Sequence, residues 1–142
     1  VVPAFLSPDL SPSDPTRNGD PTMTTEWPEL TKTLNGWIKE LRAGSPDVMR
    51  AFSGMAQAAL APKALDTKTK ELIALAIGVA VRCDDCVAFH AKAALEQGAT
   101  REEIAETLAM TVYMGAGPSV MYASHALAAF DAFAKAKSAP QS

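Results

Sequence analysis

Nine residues, Arg82 to His90, read RCDDCVAFH and hold both cysteines and one of the two histidines of the chain. Two cysteines three positions apart at the start of a helix share one face. Their Cα atoms then lie roughly 5 to 6 Å apart, within reach of a disulfide. The amide N–H groups at a helix N-terminus stabilise a thiolate, so at least one of the pair is expected to be unusually acidic. His90 follows Cys86 by four residues, one turn further along the same face, where it can serve as a base or relay toward that sulfur. Asp84 and Asp85, between the cysteines, work in the opposite direction, because negative charge beside a thiol raises its pKa.

A fourth residue joins if the helices before and after Arg82 form a hairpin. Glu71 then lies roughly 15 Å back from the turn and His90 roughly 10 Å forward of it, about level with each other. Glu71 opens an otherwise apolar stretch, and its face continues through Ala74 and Gly78, which leave room beside it. A carboxylate in such a place needs a partner, and a Glu71–His90–Cys86 chain would supply one. The same residues could instead ligate zinc, with Glu71 as fourth ligand. Structural zinc sites, however, usually show a second CxxC or a histidine pair. A buried, inert thiol pair fits poorly with three charged residues in RCDDC. Redox chemistry leads, and neither metal nor cofactor is expected.

The elements that must place these residues read as helices throughout. The first is expected over 28–42, with Leu30, Leu34, Trp37, Ile38 and Leu41 on one face and Trp27 and Trp37 as packing anchors. Gly44-Ser45-Pro46-Asp47 is a stop followed by a start. A second helix carries Val48, Phe52 and Met55 and ends before Pro62. Asp66 or Thr67 caps a third, whose run Leu72 to Val81 is apolar on nearly every face and therefore suited to the domain centre or a subunit interface. The fourth begins at the CxxC and ends at Gly98, a C′ glycine. Thr100-Arg-Glu-Glu103 is a capping box opening the fifth. Gly115-Ala-Gly-Pro118 punctuates the chain before a sixth helix. The reading is all-α, about six helices, with a domain over 23–137. Residues 1–22, rich in Pro, Ser and Asp, read as a flexible extension ahead of Met23, and 138–142 as a disordered tail. His125 reads as a hydrogen-bonded core or interface residue, and Met110, Met114, Met121 and Tyr113 as filling core or interface space, or as the apolar wall of a peroxide pocket.

With 142 residues, 48% hydrophobic content and a net charge of −3, the chain suits one domain with a sizeable core. It has no basic stripe for nucleic acid. The apolar run at 72–81 is too short to span a bilayer, and the proline-broken N-terminus is a poor secretory signal. A cytoplasmic protein is expected, in whose reducing surroundings a lone CxxC is catalytic or metal-binding rather than structural.

The full pattern, Glu71, eleven intervening residues, then Cys83-x-x-Cys86-x-x-x-His90, resembles the active-site motif of the alkyl hydroperoxidase D-like (AhpD-like) proteins of the carboxymuconolactone decarboxylase superfamily. The surrounding sequence from Leu65 to Leu127 is similar as well. The resemblance implies a single-repeat helical domain that assembles as a homotrimer or homohexamer. It implies reduction of a hydroperoxide, with re-reduction by a dithiol partner such as a lipoyl-bearing or thioredoxin-like protein. Cys86 would be the peroxidatic thiolate, Cys83 the proton donor and resolving thiol, and His90 and Glu71 the proton relay. The helix terminus favours Cys83 as the more acidic thiol, whereas His90 favours Cys86. Asp85 departs from some peroxidase members, which carry a histidine there. The lactone decarboxylases of the superfamily generally lack the CxxC. Two other readings stand beside the peroxidase: a thiol–disulfide oxidoreductase or redox sensor without peroxide turnover, and a non-enzymatic oligomeric binding protein.

Overall fold

A computed structural model describes residues 26–139. The extension expected over 1–22 and the last three residues of the tail lie outside the described residues. Five helices follow in order: α1 (Trp27–Gly44), α2 (Pro46–Leu60), α3 (Thr67–Ala80), α4 (Asp84–Glu96) and α5 (Arg101–Ser138). The all-α expectation holds. The expected sixth helix is the C-terminal part of α5, which consists of two helical stretches meeting at a kink at 115–118. Ala116 alone leaves helical geometry (φ 50°, ψ −142°) and Pro118 lies within the helix. Proline removes one N–H from the helical ladder and clashes with the preceding turn, which kinks a helix. A Cβ on Gly115 would meet the Ser119 side chain, which would have to shift.

Local chemistry explains most helix ends. Asp66 accepts from the Thr69 amide at 2.7 Å and caps α3. The capping box of α5 closes in both directions: Glu103 N donates to Thr100 Oγ1 and Thr100 N to Glu103 Oε2. After α4, Gly98 takes φ +82°. The Gly98 amide donates to Leu95 O and the Ala99 amide to Ala94 O, the paired bonds of a Schellman motif. Ser45 stands at the N-cap of α2 with Pro46 behind it, but its side chain makes no capping bond.

The core forms where α3, α4 and α5 pack on one another. Leu75, Val79, Val87 and Ile104 are fully enclosed. Around them, Ala88, Ala91 and Ala94 line one face of α4, and Ala126 and Ala129 lie on α5. Small side chains at helix spacing let these backbones approach closely, so modest residues still exclude water. Trp27 is buried and anchors α1 to this core, whereas Trp37 is 65% exposed. The expectation of two tryptophan anchors is therefore corrected to one. α1 packs on α4 and α5, and its buried residues, Trp27, Thr31 and Leu34, all lie in its first half. α2 contacts only α1 and α3 among the described elements and buries no residue.

Candidate functional site

The turn between α3 and α4 places the cysteines. α3 ends in a second Schellman pair, the Arg82 amide donating to Val79 O and the Cys83 amide to Gly78 O. The left-handed residue that this motif needs is Arg82, at φ 60°. A residue with a Cβ pays roughly 1 kcal/mol or more for that conformation, so the chain holds a mildly strained residue directly before Cys83. Cys83 has two tasks, closing α3 and capping α4: its sulfur accepts from the Cys86 amide at 3.2 Å. Cys83 and Cys86 are joined as a disulfide, with their Cα atoms 5.2 Å apart. Both are half-buried.

Close approach of α3 makes this possible. A Cβ on Gly78 would lie 3.3 Å from Cys86 Cβ and 3.4 Å from the Val87 backbone nitrogen. Any side chain there would need the start of α4 to give by a few tenths of an ångström. Glu71 lies two turns earlier on α3, and the hairpin brings it level with His90. His90 Nδ1 donates to Glu71 Oε2 at 2.7 Å. The Glu71 side chain is 6% exposed and that of His90 33%. Burial of a carboxylate is costly without a hydrogen-bond partner, and the imidazole provides it. With Nδ1 committed to Glu71, the neutral ring keeps Nε2 as its basic nitrogen. Such an arrangement can take up a proton at the ring and stabilise the resulting imidazolium with the carboxylate.

All four residues singled out from the sequence thus belong to one hairpin. Glu71 and His90 are bonded to each other, and Cys83 and Cys86 to each other. His90 follows Cys86 by one turn of α4. Among the described residues, no group of three or more His, Cys, Asp or Glu is arranged to hold a metal ion.

A second histidine pair was not foreseen. His125 Nδ1 donates to Asp84 Oδ1 at 2.8 Å, joining α5 to the residue after Cys83. Only the hydrogen-bonding character of His125 was readable from the sequence, because its partner is 41 positions away. Met110, Met114, Met121 and Tyr113 are exposed rather than packed within this chain. Met110 and Met114 line a groove of about 480 Å³ between α3 and α5, together with Leu72, Ile73 and Ile77.

With this geometry established, comparison with known proteins identifies the class. Residues 46–129 match the model of the carboxymuconolactone decarboxylase family, and the chain belongs to that family. An uncharacterized protein of Cupriavidus necator is 46% identical over 110 residues, which cover 78% of this chain and 97% of that one. Among solved structures, a carboxymuconolactone decarboxylase family protein from Legionella pneumophila aligns with a TM-score of 0.75 and 47% identity, covering 78% of this chain and 98% of its own. A family member from Thermotoga maritima, suggested to take part in an antioxidative response, aligns with a TM-score of 0.68 and 26% identity, covering 77% and 92%. The family thus combines this helical fold with enzymes and with a suggested antioxidative role. No helix among the described residues is long and apolar enough to cross a membrane.

Proposed function

We propose that this protein is a thiol-dependent hydroperoxide reductase. The observation that carries the reading is the buried Glu71–His90 hydrogen bond, built on the same hairpin as a half-buried CxxC pair. A bare structural disulfide has no need of a buried carboxylate holding an imidazole one turn from its second sulfur.

The chemistry proceeds in three balanced steps. His90 accepts the proton of the Cys86 thiol, and Glu71 stabilises the imidazolium. The Cys86 thiolate attacks the terminal oxygen of the hydroperoxide, the S–O bond forms and the O–O bond breaks. The departing alkoxide takes its proton from the Cys83 thiol and leaves as the alcohol, with Cys86 as sulfenic acid. The Cys83 thiolate then attacks the Cys86 sulfur to form the disulfide, and the expelled hydroxide takes the proton held by His90 and leaves as water. A dithiol, of the lipoyl or thioredoxin type, reduces the disulfide by exchange and is itself oxidised to a disulfide. Each turnover consumes one hydroperoxide and one dithiol.

Assembly as a homotrimer or homohexamer belongs to the same proposal. Val48, Phe52 and Met55 on α2, and Met110 and Met114 beside the α3–α5 groove, are large apolar side chains left exposed in one chain. Neighbouring copies would cover them.

Peroxide consumption with excess dithiol tests the activity. Wild type turns over, Cys86→Ser is inactive, and Cys83→Ser undergoes one oxidation and then stalls. Disulfide formation without sustained peroxide turnover would instead favour a thiol–disulfide oxidoreductase or redox sensor. Asp84 and Asp85 beside the thiols give that second reading its support, since their charge disfavours the attacking thiolate.

A further inference from the structure

The His125–Asp84 pair lies outside the Glu71–His90 relay, yet it reaches the cysteine turn directly. Asp84 is the first residue of α4 and is bonded in sequence to Cys83. His125 comes from the C-terminal part of α5, and its ring is flanked by Tyr122, with centroids 5.1 Å apart, and by the buried Trp27, at 6.2 Å. Two aromatic neighbours from two helices therefore hold an imidazole whose Nδ1 is committed to one carboxylate. The side chains are 44% and 43% exposed, so the pair is open to solvent.

The charge logic of the turn is otherwise contradictory. The first-turn amides of α4 favour a thiolate, while a carboxylate next to Cys83 disfavours it. A protonated imidazole bound to that carboxylate removes most of the conflict. We propose that His125 is a positioning residue for the cysteine pair. It acts through Asp84, cancelling the charge of that carboxylate and so preserving the acidity and the oxidising potential that the helix terminus confers on the thiols. The inference rests on the reading of the CxxC as a working dithiol–disulfide, but not on peroxide being its oxidant. Charged groups near the pair in sequence or on its own hairpin are Arg82 and Asp85 in the same turn, Glu71 and His90 on α3 and α4, and Glu26, which precedes Trp27. All of these are unchanged in the variants below.

The test uses the full chain, reduced and freed of reductant. Two quantities are measured without peroxide: the rate of alkylation by iodoacetamide between pH 5 and 9, and the midpoint potential of the disulfide against a glutathione redox buffer. His125→Gln is expected to move the alkylation profile to higher pH, with reaction roughly three- to tenfold slower near pH 6. It should also make the potential more reducing, because the reduced form loses thiolate stabilisation. Asp84→Asn added to His125→Gln should return both quantities close to wild type, since the uncompensated charge is gone. Wild-type values in His125→Gln, or failure of Asp84→Asn to restore them, would overturn the inference. If His125→Gln does not fold, His125→Asn, whose amide can keep the bond to Asp84 without a charge, is measured in its place with the same expectations. Loss of the peroxidase reading would leave these profiles untouched, so the two failures are distinguishable.

Discussion

α2 and α3 are similar in length, 15 and 14 residues, and both carry large apolar side chains at helical spacing. Their fates differ. α3 packs on both α4 and α5, with Leu75 and Val79 fully enclosed and even a carboxylate, Glu71, taken inside. α2 buries nothing, although Val48, Phe52 and Met55 recur along one side. An apolar stripe states what a helix can bury, but a partner surface must exist before it buries anything. In this chain that surface is built by the α3–α4 hairpin and by α5, and the chemistry-bearing residues sit on the same hairpin.

The largest effect expected from this contrast is in stability. Leu75→Ala should cost about 3 kcal/mol in denaturant unfolding, the transfer and cavity loss of a fully enclosed leucine. Phe52→Ala should change the unfolding free energy by less than about 0.5 kcal/mol where the chain is monomeric, and by more where the proposed assembly covers α2. An equally large loss at Phe52 would mean that α2 is covered in solution, as neighbouring copies would cover it.

Next comes the buried pair. His90→Ala leaves Glu71 enclosed without its donor and should destabilise by about 2 kcal/mol. Glu71→Gln in the same background should recover part of this, because an amide is cheaper to leave unpaired than a carboxylate. Absence of that recovery would show that Glu71 finds water or another partner when the imidazole is gone.

Glycine substitutions sharpen the comparison with opposite signs. Gly78→Ala forces a Cβ against Cys86 and the α4 backbone and should cost roughly 1 to 2 kcal/mol, with altered reactivity of the reduced cysteines toward iodoacetamide. Gly54→Ala, in the middle of α2 with open space around it, should stabilise by roughly 0.5 to 1 kcal/mol through helix propensity. Thermal unfolding of the two variants decides it, and equal signs would contradict the contrast.

The smallest effect concerns the shared end of α3 and α5. Lys68 donates to Glu103 at 2.6 Å, and this bond, with the Thr100 amide, holds the Glu103 carboxyl below its ordinary value of 4.5. Bonds from Thr69 likewise hold Asp66 below 3.8. Because both are depressed in the folded state, their contribution is fully present above those ordinary values and is lost as pH falls through the depressed ones. The melting temperature should therefore fall in acid, and less steeply in Glu103→Gln. An identical acid profile in that variant would remove the pair from the stability of this end.

Much of this was legible from residue types and spacing. The capping box at Thr100, the cap at Asp66 and the glycine stop at Gly98 were readable because each involves neighbours within a few positions, where helix geometry alone fixes who meets whom. The same holds for the shared face of Cys83, Cys86 and His90. The family resemblance rested on that spacing together with Glu71. The break at Gly115–Pro118 was readable in the same way, from glycine and proline within four positions. One local expectation nevertheless shifted: Ser45 makes no capping bond. A left-handed Arg82 carried no signal, because the position usually announces itself with glycine.

Tertiary packing alone decided the rest. Glu71 and His90 are 19 positions apart and Asp84 and His125 are 41, so whether either pair meets depends on how α3, α4 and α5 face one another. The absence of Cβ at Gly78 and the run of alanines on α4 and α5 set that facing by permitting close approach. Trp27 found the core while Trp37, ten residues along the same helix, did not, because the buried residues of α1 end at Leu34. Short-range geometry is written into the order of residues, whereas contact across helices follows from which surfaces can exclude water together.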